Sequence, residues 1–302
     1  MLTADSIKGS MTALVTPFRD GKIDRKALEA LVDFQIEGGS SGLVPCGTTG
    51  ESATLSFEEH DEVIDIVVQR VRGRVPVIAG TGSNNTQEAI RLTRHAETAG
   101  ADGALLITPY YNKPTPAGLK AHFEAIAQSS RLPLIPYNIA SRTAINMSAE
   151  LVSELTRIPT VVAIKEASGN LEQIQRIHEL CGERLAILSG DDSLTLPILA
   201  VGGRGVISVA SNLVPGECAR LVESFLDGDL EEARSIHYKL LPLVRVLFIE
   251  TNPIPVKTAL ALMQKIKLEF RLPLVTLRSE NEQRLRQELS RMGLVSAFSV
   301  KT

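Results

Sequence analysis

The sequence predicts an α/β chain folded as a (β/α)8 TIM barrel with a C-terminal helical appendage, and three observations carry that prediction. Eight short apolar runs, at 11–16, 42–47, 76–80, 103–108, 133–137, 161–165, 185–189 and 205–209, alternate with longer amphipathic segments. The runs are continuously apolar, the pattern of parallel strands covered on both faces. Polar residues gather where the runs end, the rim on which such barrels carry their chemistry. Eight units fit the usual size of the fold, whereas an open doubly wound sheet more often stops at five or six strands.

The intervening helices have readable starts and stops. Asp24 caps a helix whose Leu28, Leu31 and Val32 share one face, and Gly38-Gly39 ends it. Ser56 with Glu59 forms a capping box ahead of Val63, Ile64 and Val67. Asn85 with Glu88 is expected to form a second, in a helix ending at Gly100. After Asp227-Gly228-Asp229 the strand runs cease, so the barrel is assigned to 1–228 and the appendage to 229–302. Helices are expected there at 229–248, 253–265 and 279–292, with Arg271-Leu272-Pro273-Leu274 as a loop between. The appendage holds no cluster of catalytic residue types and is expected to serve packing and oligomer contacts.

Composition narrows the function. The 302 residues are 44% hydrophobic and 22% charged with net charge −3, an ordinary globular balance without a basic surface for nucleic acid. No run approaches the roughly 20 apolar residues of a membrane span, and the N-terminal segment lacks the apolar core of a signal peptide. Three widely spaced cysteines (Cys46, Cys181, Cys218) suit reduced thiols, so a cytoplasmic location is expected. The five histidines fall in helical segments without paired metal-ligand spacing, and no phosphate-binding or dinucleotide motif is complete. Neither metal nor cofactor is expected.

The strand ends hold Thr16; Gly47-Thr48-Thr49-Gly50-Glu51-Ser52; Thr108-Pro109-Tyr110-Tyr111-Asn112; Tyr137-Asn138; Lys165; Gly190-Asp191-Asp192; and Ser208 to Asn212. Three of the four tyrosines are among them. A strand-end lysine is ordinarily solvated or paired, here with Glu166 as the nearest partner. A partly desolvated one loses its proton near neutral pH and becomes the amine that forms a Schiff base with a carbonyl. Tyr137, one strand earlier, is the first candidate to carry protons for that step. The backbone N–H groups and hydroxyls of Gly47 to Gly50 suit a small carboxylate, and Arg142 could hold a second one as a bidentate fork.

Together these segments, with Ser141-Arg142-Thr143, Ser189-Gly190-Asp191-Asp192, Gly205-Val206-Ile207-Ser208 and Asn252-Pro253-Ile254-Pro255-Val256-Lys257, resemble the dihydrodipicolinate synthase family. That family belongs to the class I aldolases that also include N-acetylneuraminate lyase, and the resemblance runs from Gly9 to Leu294. It implies a lyase-class enzyme condensing pyruvate with L-aspartate 4-semialdehyde, the first committed step of diaminopimelate and lysine biosynthesis. Lys165 would form the Schiff base, Tyr137 would be the principal proton donor and acceptor, and Thr48 and Tyr111 would complete its relay. In this family a tyrosine like Tyr111 is contributed by the neighbouring subunit, in homotetramers built from tight dimers. Thr49 and the backbone at Ile207 would hold the pyruvate carboxylate, Arg142 the semialdehyde carboxylate, and Gly190 joins them in the substrate-binding set. Ser52, Ala53, His60, Asn84, Glu88 and Tyr110 match positions that bind L-lysine as a feedback inhibitor in some members, though Phe57 replaces a histidine found in some of those. A sugar-acid lyase or a keto-acid-binding paralogue without activity are the alternatives. Arg142 disfavours the first and the retained relay the second. Ala140, Ala144 and Pro136 depart from the family's usual proline, glycine and strand pattern, so the loop carrying Arg142 is expected to have its own shape.

Overall fold

A computed structural model of the chain describes residues 2–296; the end of the expected appendage, 297–302, lies outside them. Eight parallel strands form the sheet: β1 (Gly9–Ala13), β2 (Gly42–Val44), β3 (Ile78–Gly80), β4 (Gly103–Ile107), β5 (Leu134–Asn138), β6 (Ala163–Glu166), β7 (Ala186–Ser189) and β8 (Gly205–Ser208). They pair in the order β2-β1-β8-β7-β6-β5-β4-β3, and a parallel bridge between Leu43 and Val77 brings β2 back to β3. This is the predicted (β/α)8 barrel. β1 and β8 pair from Gly9↔Gly205 to Thr12↔Ser208. A Cβ at Gly205 would lie 2.1 Å from the Gly9 carbonyl oxygen, so only glycine lets these strands seat.

Strand ends differ from the sequence expectation by a few residues, for local reasons. β1 starts two residues earlier than expected because its ladder reaches back to Gly9. It stops at Ala13 because the Asn212 side chain takes over the next ladder positions, its amide donating to the Ala13 carbonyl at 2.8 Å and its Oδ1 accepting from the Val15 N–H at 3.2 Å. β2 stops at Val44 because Pro45 has no N–H and Cys46 takes φ 55°. Pro136 is seated inside β5. Leu134 and Asn138 bond toward β6, so by the two-residue period position 136 faces β6 as well. There the register steps from Leu134↔Val161 to Tyr137↔Lys165, three residues on one strand against four on the other. The extra residue is a bulge, and the missing proline donor falls within it.

Apolar side chains separate into two layers. Met11, Val44, Ile78, Leu105, Ile135 and Leu188 fill the barrel interior, with Ile7 at its base. A larger cluster lies between strands and helices. The Ser56 capping box forms as expected. The Asn85 box does not: the Asn85 side chain accepts from the Gln87 N–H, while the Glu88 carboxylate accepts the Ser83 hydroxyl at 2.7 Å and is not free to reach back.

The appendage follows Gly228, at φ 88°, with helices Leu230–Leu247, Ile254–Leu262 and Ser279–Arg291. Leu243, Val244, Leu285 and Leu289 share the buried cluster of the barrel helices. No described helix is long and apolar enough to cross a membrane.

Candidate active site

Lys165 and Tyr137 are register partners on adjacent strands, so their side chains leave β6 and β5 on the same face, toward the barrel axis. The Lys165 Nζ lies 4.3 Å from the centre of the Tyr137 ring. Both residues are buried, at 6% and 5% exposure. Burial lowers the lysine pKa to about 8, with the Arg142 charge acting in the same direction and Asp192 opposing it. Burial likewise pushes the Tyr137 phenol above its ordinary range, so it stays a protonated donor.

Glu166 is not the partner of Lys165. It points to the opposite face of β6, where its carboxylate accepts from the Ser168 N–H at 2.6 Å and the Asn138 amide at 3.0 Å. Lys165 has no ion-pair partner among the described residues. Asp192 supplies negative charge indirectly, held by the Ser208 hydroxyl and the Val209 N–H at the end of β8.

A cavity of about 50 Å³ surrounds the lysine, lined by Thr48, Thr49, Tyr137, Arg142, Lys165, Gly190, Val209 and Asn252 among others. Residues from the ends of β2, β5, β7 and β8, from the segment carrying Arg142 and from the appendage thus converge on the amine. Gly190 is there for a steric reason: a Cβ would lie 3.1 Å from both Cε and Cγ of Lys165 and 2.8 Å from the Ala167 Cβ. Gly190→Ala is expected to lower kcat/KM about 100-fold by displacing the amine. A thermal melt run beside steady-state kinetics checks that the loss exceeds any change in folding. Ile207 lies among the interior residues of β8 and lines neither cavity, whereas Val209 lines the inner one.

Arg142 sits on a short helix, Ala140–Thr143, that ends at Ala144 in the left-handed region at φ 60°. That is the position where glycine would be unstrained. The loop is therefore the one-turn helix that Ala140 starts and Ala144 closes. The guanidinium donates to the Asn252 carbonyl at 3.1 Å. Tyr111 lines neither cavity; at φ 72° it projects outward with 90% exposure.

A larger cavity of about 480 Å³ opens beside the first and shares Thr48, Tyr137, Arg142 and Asn252 with it. Ser52, Ala53, His60, Glu88 and Tyr110 line this outer chamber, with Phe57. Asn84 does not, although its carbonyl accepts the Asn112 amide at 2.8 Å. Burial lowers the His60 pKa to about 4, so the ring is neutral. Its Nε2 lies 2.9 Å from the Gly80 carbonyl and donates to it, while Nδ1 is buried without a partner. The Arg91 guanidinium covers the Phe57 ring at 4.6 Å. No group of three His, Cys, Asp or Glu able to hold a metal occurs among the described residues.

Sequence reasoning missed what the appendage contributes. Its Asn252 amide donates to the Thr49 hydroxyl at 3.0 Å. Lys257 forms a fully buried ion pair with Glu51, in the turn that follows Thr48 and Thr49. Besides the packing and oligomer contacts expected of it, the appendage thus holds groups of the site, through contacts that cross some 200 positions of chain. The only local signal was the polar pair Asn252 and Lys257 inside an otherwise apolar, proline-rich segment.

Comparison with known proteins agrees with this geometry. The model of the "Dihydrodipicolinate synthetase family" matches residues 6–292. The 4-hydroxy-tetrahydrodipicolinate synthase of Syntrophobacter fumaroxidans is 57% identical over 289 residues, covering 95% of this chain and 99% of that one. The dihydrodipicolinate synthase of Aquifex aeolicus superposes with a TM-score of 0.95 at 49% identity, over 96% of this chain and 100% of that one. The enzyme of Cyanidioschyzon merolae, solved with lysine bound, gives 0.93 at 45% identity, over 96% and 99%. A lysine amine and a tyrosine phenol at neighbouring strand ends, on a barrel matched over nearly its whole length, make this chain a member of the dihydrodipicolinate synthetase family.

Proposed function

We propose that the chain is a 4-hydroxy-tetrahydrodipicolinate synthase, condensing pyruvate with L-aspartate 4-semialdehyde for diaminopimelate and lysine biosynthesis. The observation that carries this is the desolvated Lys165 amine against the Tyr137 ring, in a cavity that also holds Thr49 and Arg142. The neutral amine attacks the pyruvate ketone carbon to give a carbinolamine. Tyr137 donates the proton with which hydroxide leaves as water, giving the imine. Loss of a methyl proton gives the enamine, whose terminal carbon attacks the semialdehyde carbon while its oxygen takes up a proton. Thr49 holds the pyruvate carboxylate, with the β8 end at Ile207 behind it, and Arg142 the carboxylate of the second substrate. Gly190 leaves room for the adduct. Thr48 relays protons, and Tyr111, pointing away from its own barrel, completes the relay of a neighbouring subunit in a homotetramer. The outer chamber, with Ser52, Ala53, His60, Glu88 and Tyr110 on its wall and Asn84 at its edge, is the place for L-lysine as feedback inhibitor. Three buried free thiols suit the cytoplasm.

A coupled assay tests the substrate. Pyruvate consumption with aspartate semialdehyde is expected to exceed, by at least about 100-fold in kcat/KM, the cleavage of N-acetylneuraminate or 2-keto-3-deoxy sugar acids. The opposite ranking would place the chain with the sugar-acid lyases.

A further inference from the structure

We propose that Asn252, supplied by the appendage, is a positioning residue that sets how the site grips the carboxylate of its first substrate. This rests on the Schiff-base chemistry proposed above. Asn252 is 5% exposed and lines both cavities. It touches the two groups assigned to the carboxylates: its amide nitrogen donates to Thr49 Oγ1 at 3.0 Å, and its backbone carbonyl accepts from Arg142 at 3.1 Å.

The direction of the first bond matters. A threonine hydroxyl has one hydrogen and two lone pairs. With a lone pair occupied by the Asn252 N–H, its single hydrogen is left to be donated to a bound carboxylate. The Thr49 side chain donates to no other group among the described residues. Arg142 is restrained in the same way, by a neutral acceptor that uses one of its five N–H donors and leaves the fork charged for a substrate. The remaining oxygen, Asn252 Oδ1, is buried with no partner. An acceptor left unpaired costs stability, which argues that this amide is kept for what its nitrogen does to Thr49.

An aspartate at 252 has nearly the same shape but no N–H. It would accept the Thr49 hydrogen, reverse the bond, and place negative charge beside two carboxylate subsites. A residue that merely fills space would tolerate aspartate better than alanine; a positioning residue would tolerate it worse. Borohydride trapping of the pyruvate imine, titrated with pyruvate, reads this directly. Asn252→Ala is expected to raise the half-saturating pyruvate concentration about tenfold, and Asn252→Asp to raise it further. Maximal trapping at saturation should stay within about threefold of wild type. In a Thr49→Val background, Asn252→Ala should add less than about twofold, because the two residues act through one hydrogen bond. Either an unchanged half-saturation in Asn252→Asp or fully additive effects in the double variant would overturn the proposal. Failure of the wild-type protein itself to be trapped would instead overturn the Schiff-base mechanism.

Discussion

Lys165→Ala is expected to abolish condensation, leaving less than about one part in 10⁴ of the wild-type rate, because it removes the amine of the proposed covalent route. The fold should survive, since the lysine makes no ion pair among the described residues and alanine leaves space in a cavity that is already open. Circular dichroism and a thermal melt beside the rate assay separate the two effects. The wild-type pH dependence follows from the same group. In the proposed mechanism the neutral amine attacks, so activity should be lost on the side where the lysine is protonated. With a pKa of about 8, roughly a tenth of the free enzyme carries the neutral amine at pH 7, against less than one part in 10³ for an ordinary lysine. The rate of imine formation should therefore fall tenfold per pH unit below about 8 and level off above it. Arg142→Gln removes a positive charge that helps lower the lysine pKa, so its profile should move to higher pH.

Lys257→Met is expected to produce the largest loss of stability. Lys257 and Glu51 are both wholly buried, and the ammonium also lies 4.3 Å from the Phe18 ring and 5.2 Å from the Phe270 ring. Breaking a buried pair leaves one charge without compensation, at about 3–5 kcal/mol, or a fall in Tm of roughly 10 °C. Glu51 also accepts the backbone N–H of Arg271, at 3.3 Å, and Arg271 binds the Glu59 carboxylate at 2.6 Å and the Thr54 carbonyl at 3.1 Å. The turn carrying Thr48 and Thr49 is therefore tied to the appendage at several points, and Lys257→Met should lower kcat as well. Adding Glu51→Gln removes the orphaned charge and should recover more than half of the lost stability while leaving the turn less firmly held. A double variant as unstable as the single one would show that packing, not charge, sets the cost.

The parts of this architecture legible in the sequence are those governed by short-range pattern. Apolar runs of five or six residues mark strands, and counting them places Lys165 on the sixth strand and Tyr137 on the fifth, which already puts both on one rim. Their pairing side by side needed the register. That register depends on a bulge beside Pro136, which no local signal announces beyond the proline itself. Ala144 was recognisable as a departure from glycine, but its left-handed conformation and the one-turn helix it closes came only with the fold. The grip of the appendage on the site was legible only as the polar residues Asn252 and Lys257 in a proline-rich segment, with nothing to name their partners. Asn252 and Lys257 look like polar interruptions of a helix start, and their partners Thr49 and Glu51 lie across the barrel rim. Long-range polar pairing leaves no periodicity to read.

The central claim, an imine between pyruvate and Lys165, is tested most directly by incubating the protein with pyruvate, reducing with borohydride and mapping peptides by mass spectrometry. One reduced pyruvate adduct on the peptide containing Lys165, with matching loss of condensation activity and no adduct in Lys165→Ala, is the expected result. Unmodified protein that remains fully active after that treatment, or an adduct on a different lysine such as Lys257, would contradict the mechanism.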